Sequence, residues 1–129
     1  MKKIVVSGSI SLNYEELFKD IKNKGFEIIE KPKVLTQSEF NKVFPEELKR
    51  FFTSIENTDI YLLYNANKNG IAGYIGENSY AEFYYAIAQN LLHGKNIEIY
   101  VYQMPDENLT YYDEIKILLD NNLIKLWYI

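Results

Sequence analysis

Apolar residues in this chain come in short runs, separated by polar stretches whose few apolar positions recur with helical spacing. Residues 3–7 hold Ile4, Val5 and Val6 in succession, which predicts a strand buried on both faces. Ser7-Gly8-Ser9 closes it as a polar turn. Leu12, Leu17, Phe18 and Ile21 then fall at helical spacing, and Gly25 marks a stop. A second short strand at residues 26–29 completes a strand–turn–helix–strand unit, the pattern of a crossover joining two parallel strands.

The pattern continues to the end of the chain. Residues 30–36, with Pro32 inside, read as a connection. Residues 38–55 read as helix with Phe51, Phe52 and Ile55 on its apolar face, and Pro45 is expected to divide it or to open its second piece. A third strand at 60–64 runs into Asn65-Ala66-Asn67-Lys68-Asn69-Gly70, a turn-forming polar run. After Gly70, Gly73 and Gly76, either Asn78 or Ser79 is expected to cap a helix over 80–92, in which Phe83, Ile87 and Leu91 share a face. Gly94 suits its left-handed C-terminal position. A strand at 97–102, a helix at 111–119 and a strand at 124–128 follow. Five strands alternating with four helices predict an α/β domain spanning 1–129. Its expected form is a three-layer flavodoxin/Rossmann-like arrangement with a five-stranded parallel sheet. In such a sheet ligands bind beyond the carboxyl ends of the strands. The polar turns at 7–11, 65–79 and 103–108 all belong to that end.

Composition narrows the chemistry. The net charge of -4 and the lack of any basic run beyond Lys2-Lys3 and Lys31-Pro32-Lys33 argue against a nucleic-acid partner. With no cysteine and one histidine, thiolate chemistry is excluded, and neither a metal nor another cofactor is expected. No apolar stretch approaches the ~20 residues that span a bilayer, so the expectation is a cytoplasmic protein with no membrane partner. Twelve tyrosines and seven phenylalanines can serve a core, a subunit interface or the walls of a pocket for a flat ligand.

Several polar positions are candidates for a site. Ser7, Gly8 and Ser9 can cradle an anion or a sugar through backbone N–H groups, or form an ordinary turn in which Gly8 relieves crowding. Asn65 and Asn67 fall on the ligand side of the sheet, although Asn also builds turns well. Glu77 and Glu82 stand near the start of the 80–92 helix, where exposed N–H groups favour a carboxylate; acidic residues there also serve as caps. Glu82 is the stronger candidate because it adjoins Phe83 on the buried seam. His93 beside Gly94 reads as a C-terminal contact. Tyr74, Tyr80, Tyr84 and Tyr85 suit the walls of a pocket for a base and suit equally a core or interface stripe.

The stretch from Asn65 to Gly70, then Gly73-Tyr74-Ile75-Gly76 and Ser79-Tyr80-Ala81-Glu82-Phe83-Tyr84-Tyr85-Ala86, resembles the nucleoside 2-deoxyribosyltransferase-like superfamily. The opening strand into Ser7-Gly8-Ser9 and the strand after Asp59 fit the same resemblance. It implies that Glu82, with Ala86 at the matching offset, is a nucleophile. Glu82 would attack the anomeric carbon of a nucleoside or nucleotide, displace the base and hold the sugar covalently, as in retaining glycoside hydrolysis. The resemblance also implies a substrate-binding set of Ser7, Gly8, Ser9, Asn65, Asn67, Gly73, Tyr74 and Gly76, and a homodimer or higher homo-oligomer. The family's acidic residue in the preceding helix falls near Phe51, where no carboxylate stands; Glu77 is the nearest stand-in for the family's second acid. The alternative is a non-catalytic module that binds a nucleotide or sugar-phosphate.

Overall fold

A computed structural model describes residues 1–127. Its elements are β1 (Lys3–Gly8), α1 (Glu15–Asn23), β2 (Glu27–Glu30), α2 (Gln37–Glu56), β3 (Ile60–Tyr64), α3 (Glu77–His93), β4 (Glu98–Val101), α4 (Tyr112–Asp120) and β5 (Lys125–Leu126). The expected terminal strand extended to Tyr128, which lies outside the described residues. All neighbouring strands pair in parallel, in the order β2-β1-β3-β4-β5. This is the three-layer flavodoxin/Rossmann-like arrangement.

Side chains alternate across the sheet and so build two cores. Val5, Tyr61, Leu63, Ile99 and Val101 face Phe51 and Ile55 of α2, Phe83 and Ile87 of α3, and Ile115 of α4. Ile4, Val6, Ile60 and Leu62 face Leu17 and Ile21 of α1, with Trp127 closing the same side. Each fully buried aliphatic side chain contributes ~1.5–3 kcal/mol relative to exposure, which is why the continuous apolar strands sit in the middle layer.

Three local expectations are corrected. Helix α2 runs unbroken through Pro45. Pro45 and Asn41, whose carbonyl loses its i+4 donor, are both exposed, so water can satisfy the freed group. The start of α2 is secured by a capping box, in which Thr36 and Glu39 exchange side-chain and backbone hydrogen bonds of 3.1 Å. Helix α3 begins three residues earlier than expected. Its N-cap is Gly76, with no side-chain cap bond, rather than Asn78 or Ser79. The N–H groups of its first turn therefore lack a side-chain acceptor from the cap residue. The first helix also starts later than Leu12, leaving residues 9–14 as a loop over the end of β1.

Candidate functional site

The order β2-β1-β3 reverses the direction of winding between β1 and β3. The loops leaving these two strands diverge there and open a crevice. A cavity of about 520 Å³ occupies it. One wall is Gly8, Ser9 and Ile10 after β1, with Lys68 and Tyr74 after β3. The start of α3 contributes Gly76, Glu77, Ser79 and Glu82. Across from these stand Phe40, Phe44, Leu48 and Phe51 of α2, and the connection carrying Lys31, Lys33 and Leu35.

Glu82 is the sixth residue of α3, beyond the first turn in which helix N–H groups act strongly. The sequence-based expectation that the helix terminus keeps it ionised is therefore corrected. Burial pushes its carboxyl up to about 7, the charge of Glu30 adds to that rise, and a hydrogen bond from Ser7 opposes it. Ser7 is fully buried at the end of β1 and its hydroxyl donates to Glu82 Oε1 at 2.8 Å. The first strand and the third helix, 75 residues apart in sequence, thus meet at one carboxyl.

The turn after Ser7 is shaped by aromatic packing. A Cβ on Gly8 would lie 2.4 Å from the Tyr14 hydroxyl, so only glycine lets the ring sit there. That hydroxyl donates to the Ser9 carbonyl at 2.7 Å. Lys68 donates to Ser9 Oγ at 2.7 Å and lies 5.2 Å from the centre of the Tyr74 ring. It is held in place by a two-residue turn: Asn69 and Gly70 have φ of 52° and 76°, and Lys68 and Ile71 exchange both backbone hydrogen bonds.

Of the ten residues expected at the site, Gly8, Ser9, Tyr74, Gly76, Glu77 and Glu82 line the cavity, and Ser7 joins it through Glu82. Asn65, Asn67 and Gly73 do not line it. The buried Asn65 amide pairs with both backbone groups of Gln103, at 2.7 and 3.1 Å, and the Gln103 side chain donates to the Asn65 carbonyl and to Asn67 Oδ1. Gly73 has φ 69°, and a Cβ there would meet the Pro105 Cα at 2.4 Å, so the glycine answers to backbone packing.

Sequence reasoning missed the opposite wall. Arg50 of α2 bridges the buried Glu30, at 2.7 Å, and Glu47. Glu47 lies on the cavity one turn before Phe51, so α2 does bring a carboxylate to the site, already bound to a guanidinium. The signal was the i, i+3 spacing of Glu47 and Arg50 on the face that also carries Phe51. Lys68 lay inside the turn already singled out but was not chosen. Among the described residues, no three His, Cys, Asp or Glu side chains converge as a metal-holding group, and no helix is long and apolar enough to cross a membrane.

No family model matches the chain, nor does any curated protein. Among solved structures it is similar to that of Clostridium botulinum CMP N-glycosidase, BcmB. The likeness covers 99% of this chain and 87% of that one, with a TM-score of 0.57 and 14% identity. At that identity the likeness is one of fold.

Proposed function

We propose that this chain is a member of the nucleoside 2-deoxyribosyltransferase-like superfamily that cleaves or transfers the N-glycosidic bond of a nucleoside or nucleotide, with Glu82 as nucleophile. The observation that carries the reading is Glu82 itself: a carboxyl at the cavity edge whose Oε1 is held by Ser7. Fixing one oxygen leaves Oε2 to attack the anomeric carbon. The C–N electron pair departs with the base, which takes up a proton, and a glycosyl ester forms. Water or a second base then releases the sugar from the ester. Glu77, in the first turn of α3 on the same cavity, is assigned the proton transfer to the departing base.

The remaining wall suits the rest of such a ligand. Phe40, Phe44 and Leu48 offer flat apolar surface to a base. Lys68, Ser9 and the uncapped start of α3 offer positive charge and N–H donors to a 5′-phosphate. The cavity lies within the usual range of ~300–1,000 Å³ for small-molecule sites. This reading takes 1–129 as one domain, needs no metal or cofactor, and expects a cytoplasmic homodimer or higher homo-oligomer.

One observation favours the non-catalytic alternative, a module that binds a nucleotide or sugar-phosphate. Burial raises the Glu82 carboxyl to about 7, so near neutrality it holds a proton that it can donate to a bound ligand. Incubation with deoxynucleosides, ribo- and deoxynucleoside monophosphates and NAD, with released base measured chromatographically, separates the two. Base release that disappears in Glu82→Gln supports the enzyme. Thermal stabilisation by a nucleotide without release at any pH between 6 and 9 supports the binding module.

A further inference from the structure

Ser79 is the third residue of α3 and lines the cavity, although only 6% of its surface is exposed. A serine or threonine inside a helix commonly turns its hydroxyl back to the carbonyl four residues earlier. Thr53 of α2 does so, donating to the Lys49 carbonyl at 2.8 Å. Ser79 does not. Among the described residues its hydroxyl has no hydrogen-bond partner, and the one side-chain polar atom both fully enclosed and unpartnered belongs to Tyr61. The Ser79 oxygen is therefore not sealed in, and the open space beside it is the cavity. It does not cap the helix either, since the N-cap is Gly76. Alanine is the stronger helix former and would occupy the same place without a hydroxyl to satisfy. Neither packing nor helix propensity accounts for serine here, whereas a hydrogen bond to a bound molecule does.

The place of Ser79 along α3 says which part of the molecule. Residues three apart share a helix face, with Cβ atoms about 5–6 Å from each other, so Ser79 and Glu82 look into the cavity side by side. Ser79 lies about 4.5 Å nearer the start of the helix. With Glu82 at the anomeric carbon and a 5′-phosphate toward the uncapped start of α3, the sugar ring spans the interval between them. Attack opposite the departing base turns the face that carries the 2′ and 3′ substituents toward the helix. The 2′ position adjoins the anomeric carbon and so falls at Glu82, while the 3′ position lies farther along, toward Ser79. We propose that Ser79 is a further ligand-binding residue of this site, exchanging a hydrogen bond with the 3′-hydroxyl of the sugar and making the site selective for sugars that carry one. The hydroxyl can donate or accept, so it matches either orientation of its partner. The assignment rests on the reading of Glu82 as the carboxyl that meets the anomeric carbon, and it adds to that reading the part of the sugar that is recognised.

The experiment compares the unaltered chain with Ser79→Ala. The probes are the common 2′-deoxynucleoside 5′-monophosphates, each paired with its 2′,3′-dideoxy counterpart. Dissociation constants are measured by calorimetry, and where base is released the same comparison is made on kcat/KM. Because alanine favours the helix, the thermal midpoint of Ser79→Ala should equal or exceed that of the parent, which confirms that the fold is kept. The nucleotide with a 3′-hydroxyl should bind about three- to ten-fold more weakly to Ser79→Ala, the loss of one neutral hydrogen bond, and the dideoxy nucleotide should change by less than about two-fold. The preference of the unaltered chain for the 3′-hydroxyl should shrink by the same factor. Equal losses for both members of a pair, or no loss for either, overturn the proposal. Selective loss in a chain that releases no base refutes the enzymatic reading and leaves the role of Ser79 standing. Base release with equal losses does the reverse. A chain that binds none of these nucleotides overturns both together.

Discussion

Replacing Glu82 by glutamine separates the acidity of this carboxyl from its shape. Gln keeps an oxygen to accept from Ser7 and removes the titrating proton. The folded protein holds the Glu82 proton up to about 7, whereas the ordinary value is 4.5. At ~1.4 kcal/mol per pH unit, that difference is worth about 3 kcal/mol. Its sign follows from the direction of the shift. Folding binds the proton more tightly than the unfolded chain does, so the contribution is fully present below pH ~4.5 and disappears as pH rises through ~7. Urea unfolding of both proteins at half-unit steps from pH 4.5 to 8 reads it directly. The stability of the unaltered protein relative to Glu82→Gln should fall by about 3 kcal/mol across that range, most steeply between pH 5 and 7. Glutamine should be the better residue at pH 8. A difference that stays constant within ~0.5 kcal/mol would mean that the carboxyl is solvated and titrates as in the unfolded chain. The account of how Ser7 and burial act on Glu82 would then fail.

Other expectations concern the frame around it. Lys68→Ala should weaken binding of a nucleoside monophosphate by ~1.5–3 kcal/mol while leaving the parent nucleoside nearly unchanged, as measured by calorimetry; equal losses for both would remove Lys68 from phosphate recognition. Gly73→Ala should destabilise the fold by ~2 kcal/mol or more, because its Cβ would enter the Pro105 backbone at a positive φ. A denaturation midpoint equal to that of the parent would refute the packing reading. Treatment with excess chelator should change neither ligand binding nor base release, and loss of either would show that a metal ion takes part.

How much of this could be read from the sequence depended on the range of the interaction that decided each feature. The strands were legible because Ile4-Val5-Val6 and Ile60-Tyr61-Leu62-Leu63 are continuous apolar runs, and burial on both faces leaves such runs no other place. Helix limits were less so. Pro45 looked like a break, and nothing local says that Asn41 and Pro45 would both face water. Glu82 was found through its neighbours in the chain, but its acidity was misjudged, because burial in the folded chain raises it, with Ser7 of β1 opposing and Glu30 of β2 adding to the rise. Arg50 was overlooked for the same reason: its buried carboxylate lies 20 residues away. Asn65 was placed in the turn after β3 and expected to bind the ligand. That its amide would serve Gln103 rather than line the cavity depended on β4 lying next door.

That pairing of Asn65 with Gln103 has a mechanical consequence. The two side-chain amides continue the hydrogen-bond ladder between β3 and β4 past the point where the strands end, through four contacts of 2.6–3.1 Å. The segment leaving β3 is thereby fastened to the sheet before it turns, and Lys68, one residue beyond Asn67, inherits a fixed origin. One jaw of the cavity is thus an extension of the rigid middle layer. The opposite jaw, the connection from the edge strand β2 to α2 that carries Lys31, Lys33 and Leu35, is fastened differently: ion pairs tie Glu30 to Arg50 at 2.7 Å and Lys33 to Glu47 at 3.9 Å. One side of the cavity is thus held by the ladder of the sheet and the other by charges carried on α2.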